Sequence, residues 1–114
     1  IPVISQDVTF EEAIKFVSEK CLGTALLVDK NLQLKGVLTD GDIRRAVIKH
    51  PDARNLMVKD VMTKNPKTIG TDELCAKALA IMEKYSITSL AVVDDNNVPI
   101  GLLHIHDLLR AGVA

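Results

Sequence analysis

The sequence predicts an α+β fold made of two β-α-β-β-α repeats, packed sheet to sheet about a pseudo-twofold axis. Three observations predict it. Sliding the chain against itself by 65 positions aligns residues 1–49 with 66–114 without a gap, and 11 of those 49 positions are identical. Among them are Ile4/Ile69, Asp29/Asp94, Gly36/Gly101, Asp42/Asp107 and Arg45/Arg110, too well spread along the chain to mark one local motif. Within each copy the apolar spacing changes from helical to strand-like at matching places. Finally, neither copy has enough apolar surface to cover its own small sheet, so two copies must bury each other's.

Each element follows in order. A short extended segment opens each copy, Val3–Ile4 or Thr68–Ile69. Asp7 or Asp72 is expected to cap the helix that comes next, Thr9–Lys20 or Glu73–Tyr85. Its apolar residues, Ala13, Ile14 and Val17 or Ala78, Leu79 and Met82, fall at helical spacing. An apolar strand is predicted over Ala25–Val28 and Leu90–Val93, followed by the turns "DKNLQ" and "DDNNV". Asn31 and Asn96 are the residues expected to take the positive φ of a tight hairpin. Asp29 and Asp94 open these turns in a structural role. The returning strand is Lys35–Leu38 or Ile100–Leu103, and the last helix starts near Asp40 or Ile105.

Residues 50–65, "HPDARNLMVKDVMTKN", separate the first repeat (1–49) from the second (66–114). Pro51 and the mixed charge mark a linker that carries the lead-in of the second repeat, and "LMVKDVM" forms one or two amphipathic helical turns. A matching lead-in is missing before Ile1-Pro2, which is the pattern of a piece excised from a larger chain.

Composition excludes several functions. A net charge of −1, no Trp, one Tyr and two Phe argue against a nucleic-acid surface, which needs phosphate-neutralising charge or stacking platforms. No apolar run reaches the 18 or more residues of a membrane-spanning helix, and the front carries no signal-peptide pattern. Cys21 and Cys75 have no CxxC neighbour and sit in apolar helical patterns, as reduced buried thiols of a cytoplasmic protein would. No nucleophile–base pair stands at motif spacing, so the chain is not expected to be an enzyme, and no cofactor is expected. Met57, Met62 and Met82 are packing residues.

The chemistry gathers in "GVLTDGDIRR", Gly36–Arg45. The strand ends at Leu38, which puts the Thr39 side chain at the sheet's edge, and Asp42 falls in the first turn of the helix, so hydroxyl and carboxylate can meet on one side of the turn. Two readings stand side by side. One is a capped helix with a solvated charged face. The other is a ligand site, in which the carboxylate accepts both hydroxyls of a ribose diol and the helix start faces a phosphate. Gly41 lets a backbone approach, and Arg44 and Arg45 offer forked contacts to phosphate or carboxylate. In the second copy His104 stands in place of the Thr and Asp107 is retained. An imidazole is bulkier and titrates near neutrality, so that position is altered, vacated or tuned to another group. His104 and His106 are weak candidates for binding a metal, and no physiological metal is assigned to them.

The run "DVMTKNPKTIGTDELCAKALAIMEKYSITSLAVVDDNNVPIGLLHIHDLL" resembles the cystathionine-β-synthase (CBS) domain, and the two repeats together resemble a CBS-domain pair, the Bateman module. The "VMT…P…TI" entry, the "ITSLAVVDD" strand and the Gly-to-Asp ending carry the likeness. "LTDGDIRRAV" and "HIHDLLRAGVA" look like the CBS pair that ends the D-arabinose 5-phosphate isomerases of the Kdo (3-deoxy-D-manno-octulosonate) pathway, behind an N-terminal sugar isomerase (SIS) domain. The resemblance implies a nucleotide or nucleotide-sugar effector in the cleft between repeats, its ribose on Thr39 and Asp42. Pathway logic favours the end product CMP-Kdo, with adenine nucleotides as rivals. The resemblance adds Ile4, Thr24, Thr88 and Ser89 as cleft-lining candidates, and a homodimer of pairs as the assembly. A purely structural dimerisation module is the competing reading.

Overall fold

The computed structural model describes residues 1–20, 22–73 and 75–110; Cys21 and the side chain of Cys75, the two expected thiols, lie outside the described residues. The chain forms two compact units, one spanning Pro2–Pro66 and the other holding Lys67 onwards.

In the first unit, β1 (Val3–Ser5) runs into helix α1 (Phe10–Lys20), then β2 (Thr24–Val28), β3 (Leu34–Thr39) and helix α2 (Asp40–Lys49). Two single 3-10 turns, Ala53–Asn55 and Val58–Asp60, lead to a short strand β4 (Thr63–Lys64). The sheet order is β1-β2-β3-β4. β1 lies parallel to β2, which is possible because α1 carries the chain back across the sheet. All five residues of β2 are buried, as expected for a central strand of β-branched and aliphatic residues. Phe10, Ala13 and Val17 of α1 pack with Ala25, Leu27, Leu38, Ala46, Val58 and Met62 to form the core. Val58 is fully buried and Met62 nearly so, so the segment after α2 is part of this unit's interior.

The second unit repeats the plan: β5 (Thr68–Gly70), α3 (Cys75–Tyr85), β6 (Ser89–Val93), β7 (Pro99–His104) and α4 (Ile105–Arg110). Its sheet runs β5-β6-β7, and Ile69, Ala78, Met82, Leu90 and Leu108 form its core. The starts of β1, β2 and β3 recur 65 residues later, from Val3 and Thr68 to Leu34 and Pro99. The strand pairings recur as well, Val3↔Leu26 matching Thr68↔Ala91 and Thr24↔Thr39 matching Ser89↔His104.

Two local expectations are corrected. Asp7 does not cap α1: the Glu12 N–H donates to Thr9 Oγ1 at 3.1 Å, while Asp7 lies before the helix and faces Lys59 at 3.4 Å. Thr9 is the better cap because it directly precedes the first helical residue. The positive φ of each hairpin falls one residue beyond the Asn, at Leu32 and Asn97, both at 64°. Asp29 dictates this. Its Oδ1 accepts the N–H of Asn31 at 2.9 Å and of Gln33 at 3.0 Å, leaving residue 32 to turn the chain. Asp94 does the same for Asn96 and Val98. Burial works against the Asp29 charge, but the Gln33 and Asn31 N–H groups, with Lys35 beside them, outweigh it and hold the carboxyl below its usual range.

The glycines of β3 and β7, Gly36 and Gly101, are not equivalent. A Cβ on Gly36 would lie 2.5 Å from Met62 Sδ and 2.9 Å from the Thr63 carbonyl, because β4 is laid directly against it. A Cβ on Gly101 would meet only Val92 at 3.5 Å. Gly36→Ala is therefore expected to lower stability by about 1–3 kcal/mol through overpacking, and Gly101→Ala to change it by less than about 0.5 kcal/mol. Urea unfolding of the two variants checks this, and equal midpoints would remove the role assigned to β4.

Candidate functional site

The junction between β3 and α2 is built around one carboxylate. Thr39 closes the strand with extended backbone and caps α2: the Asp42 N–H donates to Thr39 Oγ1 at 3.2 Å. The reciprocal half of this capping box runs from the Thr39 N–H to Asp42 Oδ2 at 2.9 Å. The Thr39 hydroxyl donates to the same oxygen at 3.0 Å. The other oxygen, Oδ1, accepts from Arg45 Nη2 at 2.8 Å and from the Thr63 hydroxyl at 3.0 Å. Asp42 is only 9% exposed, yet its two oxygens take four donors, which is the full capacity of a carboxylate. A buried anion with that many charge-assisted partners offsets its desolvation.

The expected site residues sort themselves around this centre. Thr39, Asp42 and Arg45 are brought together, and Thr24 is buried on β2 directly opposite Thr39. Arg44 is exposed and has no hydrogen bond or ion pair among the described residues. Ile4 pairs with Leu27, three positions along β2 from Thr24, and its side chain packs on the core of the unit. The helix start is less open than its sequence implies. The Asp40 N–H is taken by the Gly23 carbonyl at 3.1 Å, and the Asp42 N–H by Thr39. A Cβ on Gly41 would lie 3.1 Å from the Arg45 guanidinium, the far end of an exposed side chain that can move aside.

Thr63 was not among the expected residues. It stands 21 positions from Asp42 on an exposed two-residue strand with no periodic signal, and only its pairing with Val37 delivers it to the carboxylate.

The second junction has the same backbone and a different chemistry. The Ile105 N–H donates to the Thr88 carbonyl at 2.8 Å, as that of Asp40 does to Gly23. Thr88 is exposed, and Ser89 lies opposite His104. His104 takes over capping through its ring: Nδ1 accepts the His106 N–H at 3.2 Å. The two imidazoles stack, with centroids 4.8 Å apart and planes inclined by 26°. Asp107 is half-exposed, and its carboxylate meets Arg110 in the spacing of Asp42 and Arg45. Among the described residues no group of three or more His, Cys, Asp or Glu is placed to hold a metal. Nor is any helix among them long and apolar enough to cross a membrane.

A doubled β-α-β-β-α unit with an Asp in the first turn of each closing helix is the plan of a CBS pair, a class of regulatory ligand-binding module; His104 departs from the Thr or Ser of the family's motif. The chain belongs to the CBS domain family, whose profile matches residues 1–49 and 58–114. The arabinose 5-phosphate isomerase KdsD of Pseudomonas aeruginosa is 40% identical over 113 residues, covering 99% of this chain and 35% of its own. The KdsD of Escherichia coli K12 is 38% identical over 113 residues, covering 99% and 34%. The chain thus spans about a third of the length of the curated relatives it matches. Among solved structures, the CBS domain pair of protein MJ0100, in complex with 5′-methylthioadenosine and S-adenosyl-L-methionine, matches with a TM-score of 0.86 at 26% identity. The match covers 98% of this chain and 88% of that one. CBSX2 in complex with AMP shares the fold, with a TM-score of 0.86 at 23% identity over 97% of this chain and 86% of that one.

The contrast between the two junctions sets an expectation for stability. Asp42→Ala strands Thr63, Arg45 and the Thr39 N–H and is expected to cost about 2 kcal/mol. Asp107→Ala removes a solvent-screened pair and is expected to cost less than about 1 kcal/mol. Denaturant titration of both variants decides it; similar losses would mean that the Asp42 network is no stronger than a surface pair.

Proposed function

We propose that this chain is the regulatory pair of an arabinose 5-phosphate isomerase and binds a nucleotide or nucleotide-sugar effector at the Thr39–Asp42 junction. The observation that carries the reading is the nearly buried Asp42 carboxylate beside Thr39 and Thr24. It is supported by identities of 37–40% to KdsD proteins along nearly the whole chain. Catalysis belongs to a separate SIS domain, and the pair works in the cytoplasm. CMP-Kdo is the effector the reading favours, because it joins a ribose diol, a phosphate and a sugar carboxylate. Asp42 takes the diol, Arg45 the phosphate and Arg44 the carboxylate. Ile4 and Thr24 line the same site, and Thr88, Ser89, His104 and Asp107 form a variant copy in which a ring replaces the hydroxyl. A ligand that favours one arrangement of the pair shifts that population by its differential affinity, and the attached domain responds.

Isothermal titration with CMP-Kdo, CMP, AMP, ATP and S-adenosylmethionine, repeated on Asp42→Asn, tests the proposal. The expected result is heat from the cytidine ligands that is lost in the variant. Preference for an adenine compound keeps the module and replaces the effector. Silence from all five would leave Asp42 a helix cap.

A second reading, assembly of two pairs into a dimer, is favoured by a separate observation. Ile43 and Val47 lie one helical turn apart on α2. Ile43 lines an open hollow of about 340 Å³ with Ile14, Val17, Ser18, Gly23 and Asp40. Val47 and Leu22 are more than half exposed and Ile48 is 78% exposed, an apolar concentration of the sort that marks an interface. Sedimentation of Val47→Asp should then give a monomer where the unaltered chain gives a dimer; an unchanged mass would count against this face.

A further inference from the structure

We propose that the Thr63 hydroxyl is a gate on the Asp42 carboxylate, held against any diol-bearing ligand until that ligand displaces it. This deepens the preceding reading and rests on it, for it names what controls entry to the same site.

The inference follows from counting acceptors. A vicinal diol brings two O–H donors and needs two free acceptor positions on one carboxylate. Asp42 offers none: Oδ2 is filled by the Thr39 N–H and hydroxyl, and Oδ1 by Arg45 and Thr63. The four donors are not equally fixed. Of the two on Oδ2, the Thr39 N–H is half of the capping box of α2 and the hydroxyl belongs to the same cap residue, so both are held by the helix start. Those on Oδ1 come from side chains free to turn away. Arg45 is exposed along most of its length, and Thr63 sits on a strand of two exposed residues. A diol therefore enters at Oδ1, exchanging its two O–H groups for the guanidinium and the threonine hydroxyl.

The exchange has a consequence along the chain. β4 is tied to the sheet by its pairing with β3, by Met62 on Gly36, and by the Thr63–Asp42 hydrogen bond that ends at α2. It is the last strand of its unit, Asn65 turns the chain away with φ at 52°, and the chain passes from there into the second repeat. Loss of the Thr63 bond loosens the strand that connects the occupied junction to that passage, so the gate is also the element that reports occupancy.

Titration of CMP and AMP into the unaltered chain, Thr63→Ala and Thr63→Ser, with 2′-deoxyCMP as the ligand lacking a diol, tests this. Thr63→Ala is expected to bind the ribonucleotides roughly three- to tenfold more tightly, the range of one hydrogen bond no longer competed for. Thr63→Ser, which keeps the hydroxyl, should bind as the unaltered chain does, and the deoxy ligand should gain nothing. Hydrogen exchange at residues 63–64 should quicken when CMP is bound. Equal or weaker binding by Thr63→Ala, or unchanged exchange, overturns the gate and leaves the binding site standing. Absence of binding by every form removes the site and the gate together.

Discussion

Much of this molecule depends on how one nearly buried carboxylate is satisfied. Water cannot solvate Asp42 well, so protein donors must, and the four it finds come from a strand end, a helix turn and a strand 21 residues away. Meeting that demand fixes the first residue of α2, holds Arg45 back along the helix and anchors the chain after Met62 to the first sheet. The constraint is local in origin and wide in reach.

The same carboxylate links architecture to regulation. A site filled by its own protein's donors binds a ligand only by exchange, so its affinity is set by the difference between two sets of hydrogen bonds. Such a site is well suited to a sensor, whose ligand must come and go with concentration. The second junction shows the alternative. With a histidine in place of the threonine, the ring turns onto nearby backbone and stacks on its neighbour, and Asp107 pairs with Arg110 at the surface. Two junctions of one backbone thus offer two different chemistries.

Periodicity and turn residues made most of the fold legible. The repeat, the strands and the helices fall within a residue or two of where apolar spacing puts them, because each copy obeys one pattern twice. Errors arose where a side chain competes with the backbone. Asn31 is the better left-handed residue, yet Leu32 takes that conformation, because the Asp29 carboxylate claims the N–H groups on either side of it. Thr39, Asp42 and Arg45 were readable because three-residue spacings within a helix start bring side chains together. Thr63 was not, for a two-residue strand has no period and its partner is distant in sequence. Nor did the sequence disclose that the acceptors of Asp42 are already filled, since residue types list donors without saying which are spent.

The recurrence of β1, β2 and β3 at an interval of 65 residues is a constraint on length. An α1 of 11 residues rises about 16 Å, and a β2 of five residues spans about 17 Å, so the crossover helix is cut to the length of the strand it must return. A residue gained or lost within β2 would flip the faces of the residues beyond it and turn core side chains toward solvent. The two copies accordingly differ in their letters and agree in their length. Histidine stands at one junction where threonine stands at the other, and Gly101 meets Val92 where Gly36 meets β4, while the spacing is the same in both.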